Sequence, residues 1–203
     1  MNHRSPSLNQ QQRGALDLLL SRQSRWPLVE PAPSAAEVDL LIDVALRAPD
    51  HGQLRPWRFV IVRGQARQAL GEVFVQAARD RDPEGDAERF RAKAVAAPLI
   101  IAMGAHLRPK HKVPEGEQLL AAGAAAMNML NAVHVLGYGG FWATGANSHD
   151  PNVLRALGFA PEDQLVGFLY VGTPKNEGTR ESRPSRRQHV REWEPEPGMI
   201  APE

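Results

Sequence analysis

Apolar and polar positions along the chain fall into blocks that predict helices and strands in mixed order. A capping box of Ser34 and Glu37 starts the second helix, and Pro49 ends it by excluding the helical conformation at the residue before it. Asp150 followed by Pro151 is a typical start for a short late helix. The helical blocks are residues 14–22, 34–48, 65–80, 86–95, 119–136 and 150–157, and the strand blocks are residues 57–62, 98–103, 141–144 and 165–171. This mixture predicts an α+β domain.

The helix predicted over residues 119–136 is apolar nearly all round. Its 18 residues are at the lower limit for spanning a bilayer, and Asn128, Asn131 and His134 would be costly there, so we expect a buried helix instead. The spacing of these three residues suits polar groups that are satisfied within a core or a dimer interface. Residues 121–126 are small enough for close packing, and a helix so apolar must be covered on several sides. We therefore expect a homodimer built on this helix.

The character of the chain changes after Pro174. Residues 175–203 show little apolar periodicity and cannot form a core of their own, although Trp193 offers one anchor. We therefore divide the chain into a folded domain, residues 1–174, and a C-terminal arm, residues 175–203. The arm is expected either to lie over the partner subunit or to be disordered.

Composition excludes several classes of function. The chain has 203 residues with 24 basic and 23 acidic side chains, a net charge of +1, which does not indicate a nucleic-acid surface. It has no cysteine, which excludes disulfides, thiolate catalysis and cysteine-containing zinc sites. The polar N-terminal residues lack the apolar core of a signal peptide, so we expect a soluble cytoplasmic protein.

The segment after the first predicted helix is a candidate anion site. Arg22, Gln23, Ser24 and Arg25 place two guanidinium groups beside a hydroxyl, and such charge-assisted donors can hold a phosphate. The simpler interpretation is that the arginines compensate the dipole at the C-terminus of the helix. The residues alone leave both interpretations open, with the second favoured.

The loop before the first predicted strand is a second candidate. Arg47 and His51 lie in a connection crowded with hydrogen-bonding and cationic groups, and they can converge on one ligand. The alternative is a helix C-terminus carrying a cation, followed by a surface histidine. The sequence favours neither interpretation over the other.

The glycine-rich stretch at residues 137–145 is not a nucleotide loop. A dinucleotide fingerprint runs from strand through glycines to helix, whereas these glycines run from helix to strand. They either let Trp142 lie against a flat ligand or simply turn the chain. His106 and His111 lack the spacing of a metal site, so we expect no metal. The residues alone indicate an anionic or planar ligand but do not identify it.

Seven motifs together resemble one known family. They are the Arg-x-Ser of residues 22–24, EPAP at residues 30–33, RAPDH at 47–51, PW at 56–57, HKVP at 111–114, GGFWATG at 139–145 and VGFLYVGTP at 166–174. In this order, over about residues 14–174, they resemble the FMN-dependent nitroreductase family and specifically its minimal YdjA-like subgroup. The resemblance implies an α+β sandwich, with a mostly antiparallel sheet flanked by helices, in an intertwined homodimer that binds two FMN molecules at its interface.

The resemblance also implies which residues bind the cofactors. FMN would be contacted by a first group from one chain and by a second group from the partner chain. The NAD(P)H segment would lie at the end of the long helix. The first FMN group is Arg22, Gln23, Ser24, Trp142, Ala143 and Thr144; the second is Arg47 and His51; and the NAD(P)H segment is Ala132, Val133, His134, Val135, Leu136 and Gly137.

Two positions depart from the family pattern. Gln23 stands where a second arginine is common, and Ala143 stands where another basic residue often follows the tryptophan. Each departure removes a positive charge near the cofactor. We expect FMN to bind still, but more weakly, with an altered preference between NADH and NADPH.

The implied activity is NAD(P)H oxidation coupled to reduction of small electron-poor acceptors, such as nitroaromatics or quinones, by ping-pong hydride transfer through FMN. A cation near the flavin, Arg22 or Arg47, is expected to stabilise its reduced form. No catalytic side chain is assigned, since water can supply protons. The alternatives are a dimeric FMN-binding protein without NAD(P)H turnover, a flavin enzyme that reduces an activated double bond, and a structural dimer in which the arginines only cap helices.

Overall fold

A computed structural model of the chain describes residues 7–176 and 182–194, and within these ranges it contains six α-helices and five β-strands. The helices are α1 (Gln10–Ser21), α2 (Ala35–Ala45), α3 (Ala66–Arg81), α4 (Glu88–Val95), α5 (Glu115–Val135) and α6 (Pro151–Ala156). The strands are β1 (Leu28–Val29), β2 (Trp57–Arg63), β3 (Leu99–His106), β4 (Gly139–Ala143) and β5 (Asp163–Pro174). Short 3-10 turns lie at His51–Gln53, Ala146–His149 and Arg186–Gln188.

The five strands form one sheet in which every pairing is antiparallel. Strand β5 is central: one of its edges pairs with β3, which in turn pairs with β2. Strand β5 also pairs with β4 at residues 168–172 and with β1 at residues 173–174. This arrangement confirms the predicted α+β class with an antiparallel sheet flanked by helices.

Side chains of alternating residues on the central strands pack into two separate cores, because successive side chains of a strand point to opposite faces of the sheet. Ile101 and Met103 of β3 face α2 and α5, while Ile100 and Ala102 face α3 and α6. The first core contains Leu41, Met129, Val133 and Leu169, and the second contains Phe74, Val153, Phe168 and Tyr170. The helices therefore cover both faces of the sheet.

Helix α5 is longer than its apolar pattern indicates. It begins at Glu115, where Pro114 is the N-cap, because the polar side chains of its first turn continue the helix without contributing to the apolar pattern. Gln118 in this turn is buried and joins the helix to the preceding loop, donating to the carbonyl oxygen of Val113 at 2.9 Å and accepting from the backbone N–H of Arg108 at 2.9 Å.

The small residues of α5 mostly serve the core of their own chain. Ala121, Ala122, Ala125 and Ala126 are buried against the sheet and the neighbouring elements, whereas we expected this run to form the dimer contact. The apolar residues that α5 leaves exposed lie on a different stripe, at Leu120, Met127 and Val135. A helix that is apolar all round can thus be covered on one side by the sheet and still present a second apolar stripe.

The glycines that follow α5 have two different roles. Gly137 takes a left-handed conformation with φ of +84° and ends the helix, as expected. Gly139 and Gly140 are strand residues of β4, whereas we expected them to belong to the turn. A Cβ atom at Gly139 would lie 2.6 Å from Leu28, and one at Gly140 would lie 2.9 Å from Leu130, so close packing requires glycine at both positions.

One further boundary and one strand differ from what we expected. Helix α1 starts at Gln10 because Asn9 forms a capping box with Gln12. Strand β1 was not expected, since two residues carry no periodic signal. No described helix has the length and hydropathy needed to cross a membrane.

The C-terminal arm is described in part. Residues 182–194 are exposed, and the side chain of Trp193 is 74% exposed, so it is not anchored on this chain. Residues 177–181 and 195–203 of the predicted arm lie outside the described residues. Its course over a partner subunit stays a prediction.

A bulge in β5 positions the indole of Trp142. The pairing between β3 and β5 shifts register after Met103, and Gly167 on β5 adopts φ of +143°. The carbonyl oxygen of Val166 is thereby released from the ladder and accepts a hydrogen bond from Nε1 of Trp142 at 3.1 Å. The bulge therefore determines how the end of β4 lies on the sheet.

We expect the Gly167→Ala variant to lower the free energy of unfolding by about 2 kcal/mol or more, measured by urea denaturation. The added Cβ would lie 2.7 Å from the carbonyl oxygen of Ala143, on a backbone with positive φ. Gly116→Ala is the matched control, because a Cβ there has no atom within 4 Å and a helical alanine is favourable. Equal stabilities of the two variants would contradict the assigned role of the bulge.

Candidate functional site

The segment after α1 is held against the C-terminal end of α5 and the start of β4. Oγ of Ser21 lies 3.0 Å from Nε2 of His134, and the backbone N–H of Arg25 donates to the carbonyl oxygen of Gly140 at 3.2 Å. The backbone N–H of Lys175, just after β5, donates to the carbonyl oxygen of Pro27 at 3.0 Å. These contacts bring residues 21–27 together with the ends of three other elements.

A wide cavity of about 590 Å³ opens at this junction, and we call it the cationic cavity. Arg25, Lys175 and His134 line it, and no acidic side chain is among its described lining residues. The other lining residues are Gly137, Tyr138, Pro174 and Asn176. Two permanent positive charges and a histidine make this cavity a suitable place for an anionic group.

The pKa of the His134 imidazole depends on its burial and on the positive charges near this cavity. Partial burial and the neighbouring guanidinium groups of Arg22 and Arg25 lower the pKa of His134 below its ordinary value of 6.5. His134 is therefore mainly neutral at pH 7, and its ring can accept or donate a hydrogen bond.

A second cavity of about 320 Å³ lies beside β4, and we call it the aromatic cavity. Lys93 is the one charged side chain among its described lining residues. Six aromatic side chains form most of its wall: Trp26, Phe74, Phe90, Phe141, Phe168 and Tyr170. Burial raises the pKa of Tyr170 to about 12, so this phenol stays protonated and uncharged at neutral pH. The cavity suits a flat, mostly apolar ring.

The aromatic walls are held in place by contacts with one another and with a cation. The ring of Trp26 lies 5.4 Å from that of Phe141 and 5.8 Å from that of Tyr170. The ammonium group of Lys93 lies 4.7 Å from the ring centre of Phe90. These tilted and edge-on contacts, with the cation over a ring, are favourable geometries that fix the cavity wall before any ligand binds.

One polar side chain at this cavity lacks a partner. Ser148 is 5% exposed, and its Oγ atom is buried without a hydrogen-bond partner among the described residues. An unbonded buried hydroxyl costs about 1–3 kcal/mol. The hydroxyl is buried within the protein and is not exposed to the cavity.

The linings of the two cavities include consecutive residues of the chain. Arg25 lines the cationic cavity and the next residue, Trp26, lines the aromatic cavity. The segment after α1 therefore contributes to both cavities.

The FMN residues expected from one chain are divided between two faces of the sheet. Ala143 and Thr144 line the aromatic cavity, whereas the indole of Trp142 packs on the opposite core. Gln23 is buried, with 8% of its surface exposed, between the half-buried Arg22 and the exposed Ser24. Residues 22–24 thus lie beside the cationic cavity. At position 23, where the family commonly has a charged arginine, this chain has a neutral glutamine that is buried.

The segment expected to bind NAD(P)H lies only partly at the surface. His134 and Gly137 line the cationic cavity, Val135 is exposed and Leu136 is half-buried. Val133 is wholly buried in the core, and Ala132 is buried beside it, so their side chains serve packing.

The remaining two expected residues lie at the far end of α5. Nδ1 of His51 is 2.6 Å from Oε2 of Glu117, and Arg47 is exposed just before it in the chain. Glu117 and His134 are 17 positions apart in α5. At the helical rise of about 1.5 Å per residue they are separated by about 26 Å. Within one chain the structure does not bring Arg47 and His51 to the cavities.

Four residues at the cavities were missed by reasoning from sequence. Lys175 and Trp26 adjoin motifs that we used, but they carried no signal of their own. Lys93 belongs to an ordinary amphipathic helix, and Ser148 follows the glycine-rich stretch by a few positions. The arm contributes one more contact, since Nη2 of Arg183 donates to the carbonyl oxygen of Arg22 at 2.6 Å.

Among residues 7–176 and 182–194, no group of three or more histidine, aspartate or glutamate side chains is arranged to hold a metal ion. His106 is instead paired with the buried Asp163, with Nδ1 and Oδ1 2.6 Å apart.

Comparisons with known proteins point to one family. A family model described as "Nitroreductase family" matches residues 21–173. The Escherichia coli protein named "Putative NAD(P)H nitroreductase YdjA" is 39% identical over 162 residues, which cover 79% of this chain and 88% of that protein. The motif-based resemblance to a YdjA-like nitroreductase is therefore confirmed.

Solved structures share the fold. A nitroreductase-like family protein from Bacillus cereus gives a TM-score of 0.78 at 17% identity, covering 95% of this chain and 100% of that one. A structure described as a nitroreductase with bound FMN, from Bacteroides fragilis, gives 0.69 at 18% identity, covering 92% and 100%. These similarities confirm the nitroreductase-like fold.

We expect the pKa of His134, measured by NMR titration, to lie below 6.5 and to rise when phosphate is added, because an anion offsets the potential of Arg22 and Arg25. The unfolded chain takes up this proton near pH 6.5 but the folded chain only at lower pH. Stability therefore falls as the pH drops through that range. The His134→Gln variant identifies the NMR signal of His134, because that signal is missing from its spectrum. A pKa at or above 6.5 without added anion would contradict the positive cavity.

Proposed function

This chain belongs to the nitroreductase family, an oxidoreductase family, and on that premise we propose that it is an FMN-dependent NAD(P)H oxidoreductase that reduces small electron-poor acceptors such as nitroaromatics or quinones. The observation that carries the proposal is the pair of cavities, one cationic and one aromatic, that the segment after α1 helps to line. FMN has the matching parts, a phosphate at one end and a flat ring at the other.

The cationic cavity is the proposed phosphate site. Arg25 and Lys175 supply permanent positive charge there, and Arg22 and Ser24 lie next to it, in the segment for which we expected this role. The family pattern commonly has another arginine at position 23; without it, burial and then the charges of Arg22 and Arg25 still lower the pKa of His134. The remaining cations are sufficient to bind an anion.

The aromatic cavity is the proposed site of the flavin ring. Its wall contains Ala143 and Thr144, two of the residues that the family resemblance assigns to FMN. The neighbouring Trp26 and Phe141 offer flat surfaces for the ring.

When bound, FMN supplies the redox chemistry, taking a hydride from NAD(P)H and passing electrons to the acceptor. The protein supplies position and electrostatics. From the sequence we expected Arg22 or Arg47 to stabilise negative charge on the reduced ring. The structure adds Lys93, whose ammonium group lines an otherwise apolar cavity where its charge acts through a low dielectric.

A homodimer completes the proposed site. Arg47 and His51 lie at the N-terminal end of α5 and the cationic cavity lies at its C-terminal end. If two copies pack α5 against α5 in opposite directions across a twofold axis, each N-terminal end reaches the partner's C-terminal end. The exposed stripe of Leu120, Met127 and Val135 is a suitable contact for such packing.

Helix α1 also favours a second chain. None of its residues is buried, although it carries several leucines, of which Leu19 and Leu20 are more than half exposed. An apolar helix surface of this kind is normally covered, and a partner subunit would cover it.

The proposal is tested first by the visible absorption spectrum of the purified protein with added FMN, before and after anaerobic NADH or NADPH. We expect flavin bands that bleach with one or both nucleotides and return when a nitroaromatic or quinone is added. Bound flavin that does not bleach would indicate an FMN-binding protein without turnover. Activity on activated double bonds alone would change the acceptor class, and a protein that binds no FMN would refute the proposal.

The two-chain site is tested by complementation. Lys175→Ala and Arg47→Ala are each expected to weaken FMN binding about tenfold or more, since each removes a charged hydrogen-bond donor. A heterodimer with one substitution in each chain is expected to regain one tight site per dimer, because one of its two sites then contains both native residues. The measurement is FMN titration by fluorescence quenching.

Lys110→Ala, in an exposed loop, is the control for loss of a positive charge. It is expected to bind FMN as the native protein does. If the heterodimer binds no better than the two single variants, Arg47 does not act from the partner chain.

A further inference from the structure

One side-chain contact at the N-terminal end of α5 involves a residue to which the family motifs give no role. Nδ1 of His51 lies 2.6 Å from Oε2 of Glu117, which belongs to the first turn of α5. The two residues are 66 positions apart in the chain, so folding brings them together. The family resemblance assigns His51 to FMN, but Glu117 lies in none of the seven motifs. The contact therefore raises the question of what Glu117 does to the imidazole.

The turn that carries His51 is held against the loop that precedes α5. Oδ2 of Asp50 accepts a hydrogen bond from the backbone N–H of Arg55 at 2.7 Å, which closes the turn. A Cβ atom added at Gly52 would lie 3.2 Å from the side chain of the buried Val113, so the turn packs closely on that loop. The backbone is thus fixed by these contacts, and the orientation of the His51 ring depends on Glu117.

The contact contributes little to the stability of the fold. The side chain of His51 is 65% exposed and that of Glu117 is 47% exposed, and pairs this accessible to water give small net free energies. A negative charge at the start of α5 does not need the contact either. Glu115 lies in the same turn and forms no side-chain hydrogen bond within the described part of the chain. The main consequence of the contact is therefore for the ring of His51.

The carboxylate of Glu117 determines which nitrogen of the ring carries the proton. An ionised carboxylate can only accept a hydrogen bond, so Nδ1 of His51 is the protonated nitrogen at this contact. In the neutral ring Nε2 is then an acceptor. Nε2 lies on the other side of the ring, and no residue within 7–176 or 182–194 forms a hydrogen bond with it. The contact thus leaves one acceptor atom available to a ligand.

We infer that Glu117 is a positioning residue for FMN binding: it holds the proton on Nδ1 of His51, so that Nε2 accepts a hydrogen bond from an O–H or N–H group of FMN. The inference rests on the proposed function, in which His51 reaches the flavin site of the partner subunit across the twofold axis. The ribityl chain and the flavin ring both carry such donors. Without Glu117 the proton can move to Nε2, which then no longer accepts.

The position of the proton is measured by ¹⁵N NMR on the flavin-free, full-length protein with labelled histidine, at about pH 9, where imidazole rings are neutral. We expect the ring of His51 to carry its proton on Nδ1 in the native protein. In the Glu117→Ala variant the proton should be shared with Nε2. The His51→Ala variant identifies the signal. A native ring protonated on Nε2 would overturn the inference independently of FMN.

The consequence for binding is measured by FMN titration with fluorescence quenching. We expect Glu117→Ala to raise the dissociation constant about three- to tenfold, which corresponds to the loss of one hydrogen bond. Glu117→Gln should regain most of this loss, because its Oε1 can still accept from Nδ1. The double variant His51→Ala/Glu117→Ala should bind no more weakly than His51→Ala, because Glu117 acts only through His51.

Glu115→Ala is the matched control. It removes the same charge from the same turn of α5 without touching His51. Both alanine variants lose a favourable charge at the start of a helix, so their thermal midpoints in the flavin-free form should change by the same small amount. Only Glu117→Ala should lose FMN affinity. The pair separates an effect on His51 from an effect on the helix.

Four results with FMN would overturn the inference and leave the proposed function untouched. Glu117→Ala could bind FMN as tightly as the native protein, or Glu115→Ala could lose as much affinity as Glu117→Ala. Glu117→Gln could bind as weakly as Glu117→Ala, or the losses of the two single variants could multiply in the double variant. A native protein that binds no FMN would instead refute the proposed function, and with it the role of Glu117.

Discussion

Strand β5 is hydrogen-bonded along both of its edges, and the arrangement of the two cavities depends on this pairing. It pairs with β3 and with β4 and, at its last two residues, with β1. The segment between α1 and β1 and the end of β4 are therefore placed side by side. Arg25 and Trp26 come from the first of these segments, and Ala143 and Thr144 from the second. A strand with one free edge would not bring these residues together.

Helix α5 relates the cavities to the rest of the candidate site. Its buried face, rich in alanine, packs on the sheet, while its two ends carry different polar groups. Ser21 and His134 meet at the C-terminal end, and His51 and Glu117 meet at the N-terminal end. The length of the helix keeps these pairs apart within one chain. For this reason the proposed flavin site needs two chains, whereas the cationic and aromatic cavities are each formed by one.

The turn beside the aromatic cavity shows how neighbouring residues differ in what they contribute to stability. Asp150 and Asn147 are bonded to Arg81 and hold the turn, so they contribute to the fold. Ser148, between them, has a hydroxyl without a described partner, so it lowers the stability of the protein. The stability of this turn therefore comes from the residues on either side of Ser148 and not from its hydroxyl.

The sequence determined the features that depend on residues close together in the chain. The capping box of Ser34 and Glu37, the cap at Asp150 and the left-handed turn at Gly137 were predicted because each involves only a few consecutive positions. The α+β class followed from the order of the periodic blocks. The family, and the segments for which a role in FMN binding was expected, came from motifs in register.

The tertiary structure decided everything that joins distant positions. Strand β1 exists because β5 offers it an edge, and two residues carry no pattern from which to predict it. Lys93 and Ser148 share a cavity wall only because α4 and the turn after β4 pack on the same face of the sheet. Their sequence neighbours do not distinguish them from an ordinary helix lysine and an ordinary turn serine. The physical reason is that burial and the lack of a hydrogen-bond partner are properties of the packed chain, and only folding creates them.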